Sequence, residues 1–128
     1  MDSGVKKSFI KYNYELFAHH LYELEKGLRH LVLHTAPVEM MGEMIKKLEK
    51  NDLDFYIQEL SSEKINLFFG EKECIEIIKG FKNKELNKYT PEEDFILGIM
   101  LGYDTLKQTR RYLKFRDKDI NKSLNMSI

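Results

Sequence analysis

The sequence predicts an α+β fold: a small three-stranded antiparallel sheet (a βαββ core) with about five helices packed on it. Two alternating segments, 54–60 and 64–69, flank Ser61-Ser62-Glu63 and read as a hairpin. Residues 28–35 supply an earlier strand that returns to the hairpin through a helix, a split βαβ arrangement. Elsewhere apolar residues recur at helical spacing. The hairpin forces the second and third strands antiparallel. The third strand is expected in the middle, with helices on one face. Two edges stay open, and the first strand carries few features that block pairing with another chain, which favours a dimer.

Taken in order, residues 1–11 are expected to be flexible, and residues 12–116 form a single domain. Phe17, Leu21, Leu24 and Leu28 share a helical stripe, and Gly27 is a natural stop. In residues 28–35, His30, Val32 and His34 alternate with Leu31, Leu33 and Thr35. Thr35-Ala36-Pro37 opens a second helix, with Pro37 suited to its first turn. Its apolar stripe is Val38, Met41, Met44, Ile45 and Leu48; Glu43, Lys46, Lys47 and Lys50 face water, and Asn51-Asp52 ends it. In the hairpin, Phe55 and Ile57 alternate with Tyr56 and Gln58, while Ile65, Leu67 and Phe69 alternate with Asn66 and Phe68. Gly70 closes it. Residues 71–81 are helical, with Cys74, Ile77, Ile78 and Phe81 on one face, and 82–89 are a polar connector. Thr90 is then an N-cap, Pro91 the first helical residue, and Glu93 completes a capping box. This last helix is expected to run unbroken to about Phe115, with 117–128 a loose tail.

Hydrophobic residues make up 42% of the 128 residues and charged residues 33%, which excludes a disordered tail protein. Lys plus Arg number 21 and Asp plus Glu number 21, so no global field draws the chain to nucleic acid or to a membrane. The single cysteine, Cys74, fits a reducing compartment. No apolar stretch follows Lys6 and Lys7 to make a signal peptide. The most apolar run, 95–103, is far short of the ~20 residues a bilayer span needs. A cytoplasmic location is expected.

Candidate chemistry is sparse. The four histidines, His19, His20, His30 and His34, crowd into sixteen successive positions and are the one hint of a ligand or metal site. Their spacing argues against it. Neighbours on a helix project ~100° apart, so His19 and His20 do not share a face. On a strand, His30 and His34 share a face but stand about 13 Å apart. The plainer account has one or two of them held at a helix–sheet junction and the rest on the surface. Cys74 has no CxxC partner, no serine sits in a nucleophile elbow, and no glycine loop cradles phosphate. No catalytic residue, cofactor or metal is assigned.

The last helix is more informative. Gly98, Gly102, Thr105 and Thr109 form a stripe of small side chains. Each interior glycine costs about 1 kcal/mol against alanine, which close approach of another helix offsets. That partner helix belongs either to the same chain or to a second copy. The surrounding apolar residues exceed what one small domain covers, so a homodimer is expected, with Phe95, Gly98, Ile99, Gly102, Tyr103 and Thr105 at its interface. Charge is also segregated. Residues 90–106 hold Glu92, Glu93, Asp94 and Asp104 with no Lys or Arg, whereas 107–122 hold seven cations against Asp117 and Asp119. On one helix this polarity matches the dipole. It also makes a landing patch for an acidic partner, with Arg110, Arg111 and Lys114 as contacts.

Two stretches carry a resemblance. They are Phe17-Ala-His-His-Leu-Tyr-Glu-Leu-Glu-Lys-Gly-Leu-Arg-His-Leu-Val-Leu-His-Thr35, and Thr90-Pro-Glu-Glu-Asp-Phe-Ile-Leu-Gly-Ile-Met-Leu-Gly-Tyr-Asp104 running on to Arg111-Tyr-Leu113. Over 12–113 the chain resembles a small bacterial family, domain of unknown function number two-thousand-and-twenty-three. The resemblance implies three strands with about five helices, a homodimer, and no accepted catalytic residues. Genes of that family stand near flavodoxin genes, and flavodoxins are acidic, which suits a basic helix end. The Lys- and Asn-rich tail after Phe115 departs from the family pattern. The function expected is that of a non-enzymatic homodimer binding an acidic redox carrier such as flavodoxin, with a small-ligand or metal site at the histidines as the alternative.

Overall fold

A computed structural model describes residues 3–126. Helix α1 spans Ser3–Glu25, strand β1 Leu31–Pro37, helix α2 Met41–Lys50, β2 Asp54–Glu59, β3 Lys64–Gly70, α3 Lys72–Lys79, α4 Pro91–Met100 and α5 Thr105–Met126. Short 3-10 turns occupy Val38–Met40 and Leu86–Lys88. The fold is the α+β arrangement the sequence predicts, with a three-stranded antiparallel sheet in the order β1-β3-β2. No helix among the described residues is long and apolar enough to cross a membrane.

The turn between α1 and β1 falls where the sequence places it. Gly27, at φ 72°, ends α1: its N–H bonds to the Leu24 carbonyl, and Leu28 N–H to the Glu23 carbonyl. This is a Schellman stop. Helix α1 begins at Ser3, inside the segment expected to be flexible, because a docked helix propagates at the gain of one bond per residue. Pro37 is not the first residue of a helix. It is extended, at ψ 142°, and pairs with Lys64 as the last residue of β1. The reason lies in the register. Glu71 N–H bonds to the His30 carbonyl and Val38 N–H to the Glu63 carbonyl, so the even residues of β1 bond to β3. Pro37 therefore sits where its missing N–H faces away from the sheet.

The β2–β3 hairpin pairs Asp54 with Gly70 through to Glu59 with Ile65. Ser61 Oγ accepts from the N–H groups of Glu63 and Lys64 at 3.2 Å each and fixes the loop. At the other end, a side chain on Gly70 would overlap the His30 carbonyl oxygen, so glycine is needed where the two strands close.

Helices cover both faces of the sheet, not the single face expected. On one side Phe17 of α1 and Met44 and Leu48 of α2 pack on Val32, Ala36, Ile65, Leu67 and Phe69. On the other, Ile75 and Ile78 of α3 and Leu97 of α4 pack on Leu31 and Phe68, with Phe81, Tyr89 and Leu101. Phe68 breaks the alternation of β3 and makes it apolar on both sides, the mark of a doubly buried strand.

The largest difference from expectation is in the last helix. It breaks at 101–104. Gly102 adopts φ 86°, Gly102 N–H bonds to Ile99 and Tyr103 N–H to the Gly98 carbonyl, a second Schellman stop. Asp104 Oδ2 then accepts from Lys107 N–H at 2.9 Å and caps α5. The chain reverses, and α5 packs antiparallel on α4. Residues 117–126, expected as a loose tail, continue α5 past the start of α4, exposed over 117–124; residues 127–128 lie outside the described part.

Candidate functional site

Two regions concentrate polar chemistry: the corner between α1 and β1, and the α4–α5 hairpin. At the corner, α1 turns His20 inward and leaves His19 exposed, while β1 buries His34 at 3% exposure. The rings of His20 and His34 meet edge-to-face at 5.5 Å, and Phe17 lies 6.2 Å from His34. Arg29 Nη1 stands 3.1 Å from His20 Nδ1. Arginine only donates, so His20 accepts there and carries its proton on Nε2. Glu23 Oε1 lies 3.5 Å from His19, 3.6 Å from His20 and 3.7 Å from Arg29. His30 is exposed and takes no part; only its carbonyl is used, against Glu71. Thus His20 and His34 converge, His19 joins through Glu23, and His30 does not.

This corner disfavours charge on its two converging imidazoles. Burial, and then the charge of His20, push His34 down to about 4. Burial and then Arg29 lower His20, against the raising pull of Glu23. His34 Nε2 is buried with no hydrogen-bond partner among the described residues. No three His, Cys, Asp or Glu side chains among the described residues are grouped to hold a metal ion. Glu23 stands three and four residues after the two histidines, within helical reach of both though in no metal-binding motif, whereas nothing in the sequence points to Arg29.

A second polar group crosses the opposite sheet face. Thr35 Oγ1 donates to Asn66 Oδ1 at 2.7 Å, and Gln58 pairs with Asn66 in register. The Tyr89 hydroxyl is buried against Gln58; burial raises the Tyr89 phenol and the Gln58 side chain offsets part of the rise.

At the hairpin, the small-residue stripe divides between two jobs. Gly98 is buried, and a side chain there would overlap Gln108 of α5. The close approach that repays its cost is therefore made inside the chain. Gly102 has open space around it and serves the left-handed turn. Phe95 packs on Tyr112 at 5.4 Å. Thr105 opens α5, its carbonyl accepting from Thr109 Oγ1 at 2.7 Å. Ile96, Ile99 and Tyr103 stay exposed on the hairpin's outer side.

Charges lock the two helices. Arg111 clamps Asp94 with two bonds, Nε to Oδ2 at 2.8 Å and Nη2 to Oδ1 at 3.0 Å. The Tyr112 hydroxyl lies 3.2 Å from Glu92 Oε1. Glu93 closes the capping box with Thr90 and accepts from Lys82 N–H at 2.9 Å and Asn83 Nδ2 at 3.1 Å. Burial alone would raise its carboxyl, but bonds from Thr90, Asn83 and Lys82 hold it below the usual range. Along the other side of α5, Lys107, Arg110, Arg111, Lys114 and Lys118 line a shallow open groove with Phe115.

The model of a family described as protein of unknown function (DUF2023) matches residues 15–115. The chain belongs to that family. No curated protein matches it. The DUF2023 match begins within α1 and ends within α5 at Phe115, so it takes in both sheet faces, the histidine corner and the clamp between Asp94 and Arg111. The exposed end of α5 lies beyond the DUF2023 match.

Proposed function

We propose that this DUF2023 protein is a non-catalytic, homodimeric docking module that holds an acidic protein on the basic face of α5. One observation carries the reading. Because α5 begins at Thr105, Lys107 and Arg110 lie in its first two turns, at the positive end of the helix dipole. The dipole disfavours Lys107 and no longer reaches Arg110, so it does not explain either cation as it would on one unbroken helix. Arg111 is committed to Asp94. Arg110 and Lys107 have no ion-pair partner among the described residues, and with Lys114 and Lys118 they present unopposed charge along one groove. In a chain whose 21 cations balance 21 anions, such a local excess suits an anionic partner.

An acidic redox carrier of the flavodoxin type is the partner the family resemblance suggests. A cytoplasmic setting is consistent with the single free thiol of Cys74. The exposed Ile96, Ile99 and Tyr103 support self-association of the hairpin's outer side, beside rather than through the buried Gly98. Calorimetry against a flavodoxin from the same source tests the reading. Binding should weaken steeply as salt shortens the screening length from about 10 Å to about 3 Å, and Arg110→Glu with Lys114→Glu should abolish it. Binding indifferent to salt and to both reversals would defeat it. A subunit-sized mass in sedimentation would remove the dimer and leave the docking face standing.

The histidine corner supports a second reading, a small-ligand site, on the single ground that His34 Nε2 is buried and unpartnered. Metal analysis of protein purified without a tag, with melting in chelator, checks its metal form.

A further inference from the structure

We infer that the outer rim of β2 takes up the β2 strand of a second copy of this chain, antiparallel and centred on Tyr56. This deepens the homodimer of the reading above and rests on it, while owing nothing to the basic groove of α5. Leu60 N–H bonds to the Lys64 carbonyl, and the register carries the alternation back along the hairpin, so Tyr56 and Gln58 bond to β3. Phe55, Ile57 and Glu59 therefore turn their N–H and C=O groups outward, where no strand among the described residues meets them. Residues 54–59 hold no Pro, Lys or Gly to blunt this rim. Phe55, Tyr56 and Ile57 stay only half-buried, although helices pack on both faces of the sheet.

Strand parity suits the rim to its own copy. Only outward-turned residues exchange bonds across a new antiparallel ladder, so odd residues of β2 meet odd and even meet even. Asp54 and Glu59 therefore never stand directly opposite each other. Where Tyr56 meets Tyr56 of the second copy, Phe55 meets Ile57 and Asp54 meets Gln58, once in each direction. The first is an aromatic–β-branched pair that exchanges both main-chain bonds. The second answers a need that one chain leaves open. Gln58 is 8% exposed and lies against the Tyr89 hydroxyl. Its amide nitrogen has two hydrogens, and the hydroxyl takes one; the Asp54 carboxylate of the second copy stands across the ladder to accept the other. Sliding the second copy by two residues sets Phe55 against Glu59, or Asp54 against Tyr56, and loses that bond. Glu59 of the second copy arrives opposite Leu53, at the groove lined by Glu49, Asp52, Asp54 and Lys79. Acids outnumber cations there, so salt strengthens this contact, the reverse of docking on α5. A basic strand from another protein would instead be weakened by salt.

The experiment uses the full chain with Cys74→Ser, so that one introduced thiol reports. Tyr56→Cys should give a disulfide-linked dimer under mild oxidation, because the pair on the axis is not hydrogen-bonded and brings its Cα atoms to about 4.5 Å. Ile57→Cys, which meets Phe55 and not its own copy, should stay a monomer on a non-reducing gel. The unaltered chain should sediment as a dimer that tightens as salt rises. Ile57→Pro removes an outward N–H and no bond to β3, and should weaken association by roughly tenfold or more with the circular dichroism unchanged. Equal cross-linking at both positions overturns the inference, and so does a dimer that salt dissociates. A dimer that neither cross-links through Tyr56→Cys nor responds to Ile57→Pro also overturns it, and leaves the homodimer standing through the hairpin's outer side. A subunit-sized mass at every salt concentration ends this inference and the homodimer together.

Discussion

The α1–β1 corner and the α4–α5 hairpin are both rich in ionisable residues, yet they treat them in opposite ways. At the corner His20 and His34 are stacked and shielded, which disfavours their charged forms, with Arg29 and Glu23 closing the outer side. At the hairpin one carboxylate–guanidinium clamp locks the helices, and the remaining cations face water. The number of titratable groups in a segment says little about function; whether the fold uses up their charges says more. The four histidines are the more conspicuous feature of the sequence, but Lys107 and Arg110 of α5 are left without an ion pair among the described residues.

The contrast is sharpest at acid pH. His34 is lowered to about 4 from a usual 6.5, so the folded protein needs it neutral. Its contribution to stability is complete above about pH 6.5 and is lost as pH falls toward 4, a change of about 3 kcal/mol at most. Urea melts across that range should show the loss, and His34→Phe should flatten it; an unchanged slope would mean the corner is not shielded. Next in size is Gly98→Leu. It drives Gln108 out of its seat and should cost about 2 kcal/mol, seen as a lower melting temperature. A neutral result would mean that α5 does not rest on α4. Glu93→Ala removes the capping box and the acceptor for Lys82 and Asn83, for about 1–2 kcal/mol by denaturant titration. Smallest is Arg111→Ala. Its pair with Asp94 is largely exposed and should contribute under about 1 kcal/mol, while binding of an acidic partner falls less than for Arg110→Glu. If Arg111→Ala proved the more damaging to binding, the division between locking and docking charges would be wrong.

Much of this architecture is legible in local signals. Ser61-Ser62-Glu63 marks the hairpin, Gly27 the end of α1, and Thr90 with Glu93 the start of α4, because each depends on groups within a few residues of one another. The break after α4 has equally local signals in Gly102 and Asp104. The apolar run 95–103 hides them, since its outward residues Ile96, Ile99 and Tyr103 prolong a helical pattern that the backbone does not follow. The second covered sheet face is lined by Leu31, Leu33, Tyr56 and Phe68, which alternation alone places on the side opposite the first core without saying that helices cover it. At the histidine corner, residue type was visible but partnership was not. His34 and His20 are brought together by the packing of α1 on β1, which no spacing rule contains. The charge of α5 was visible too, and its meaning changed once the helix start moved to Thr105.

Pro37 has an effect beyond the strand it ends. The outer rim of β1 presents the backbone of Leu31, Leu33, Thr35 and Pro37, and Leu31 is wholly buried. A strand arriving along this rim finds amide hydrogens at Leu33 and Thr35 and then an imide nitrogen that has none to give. Any ladder begun there stalls within two rungs, so extension of the sheet by another strand is left to the outer rim of β2.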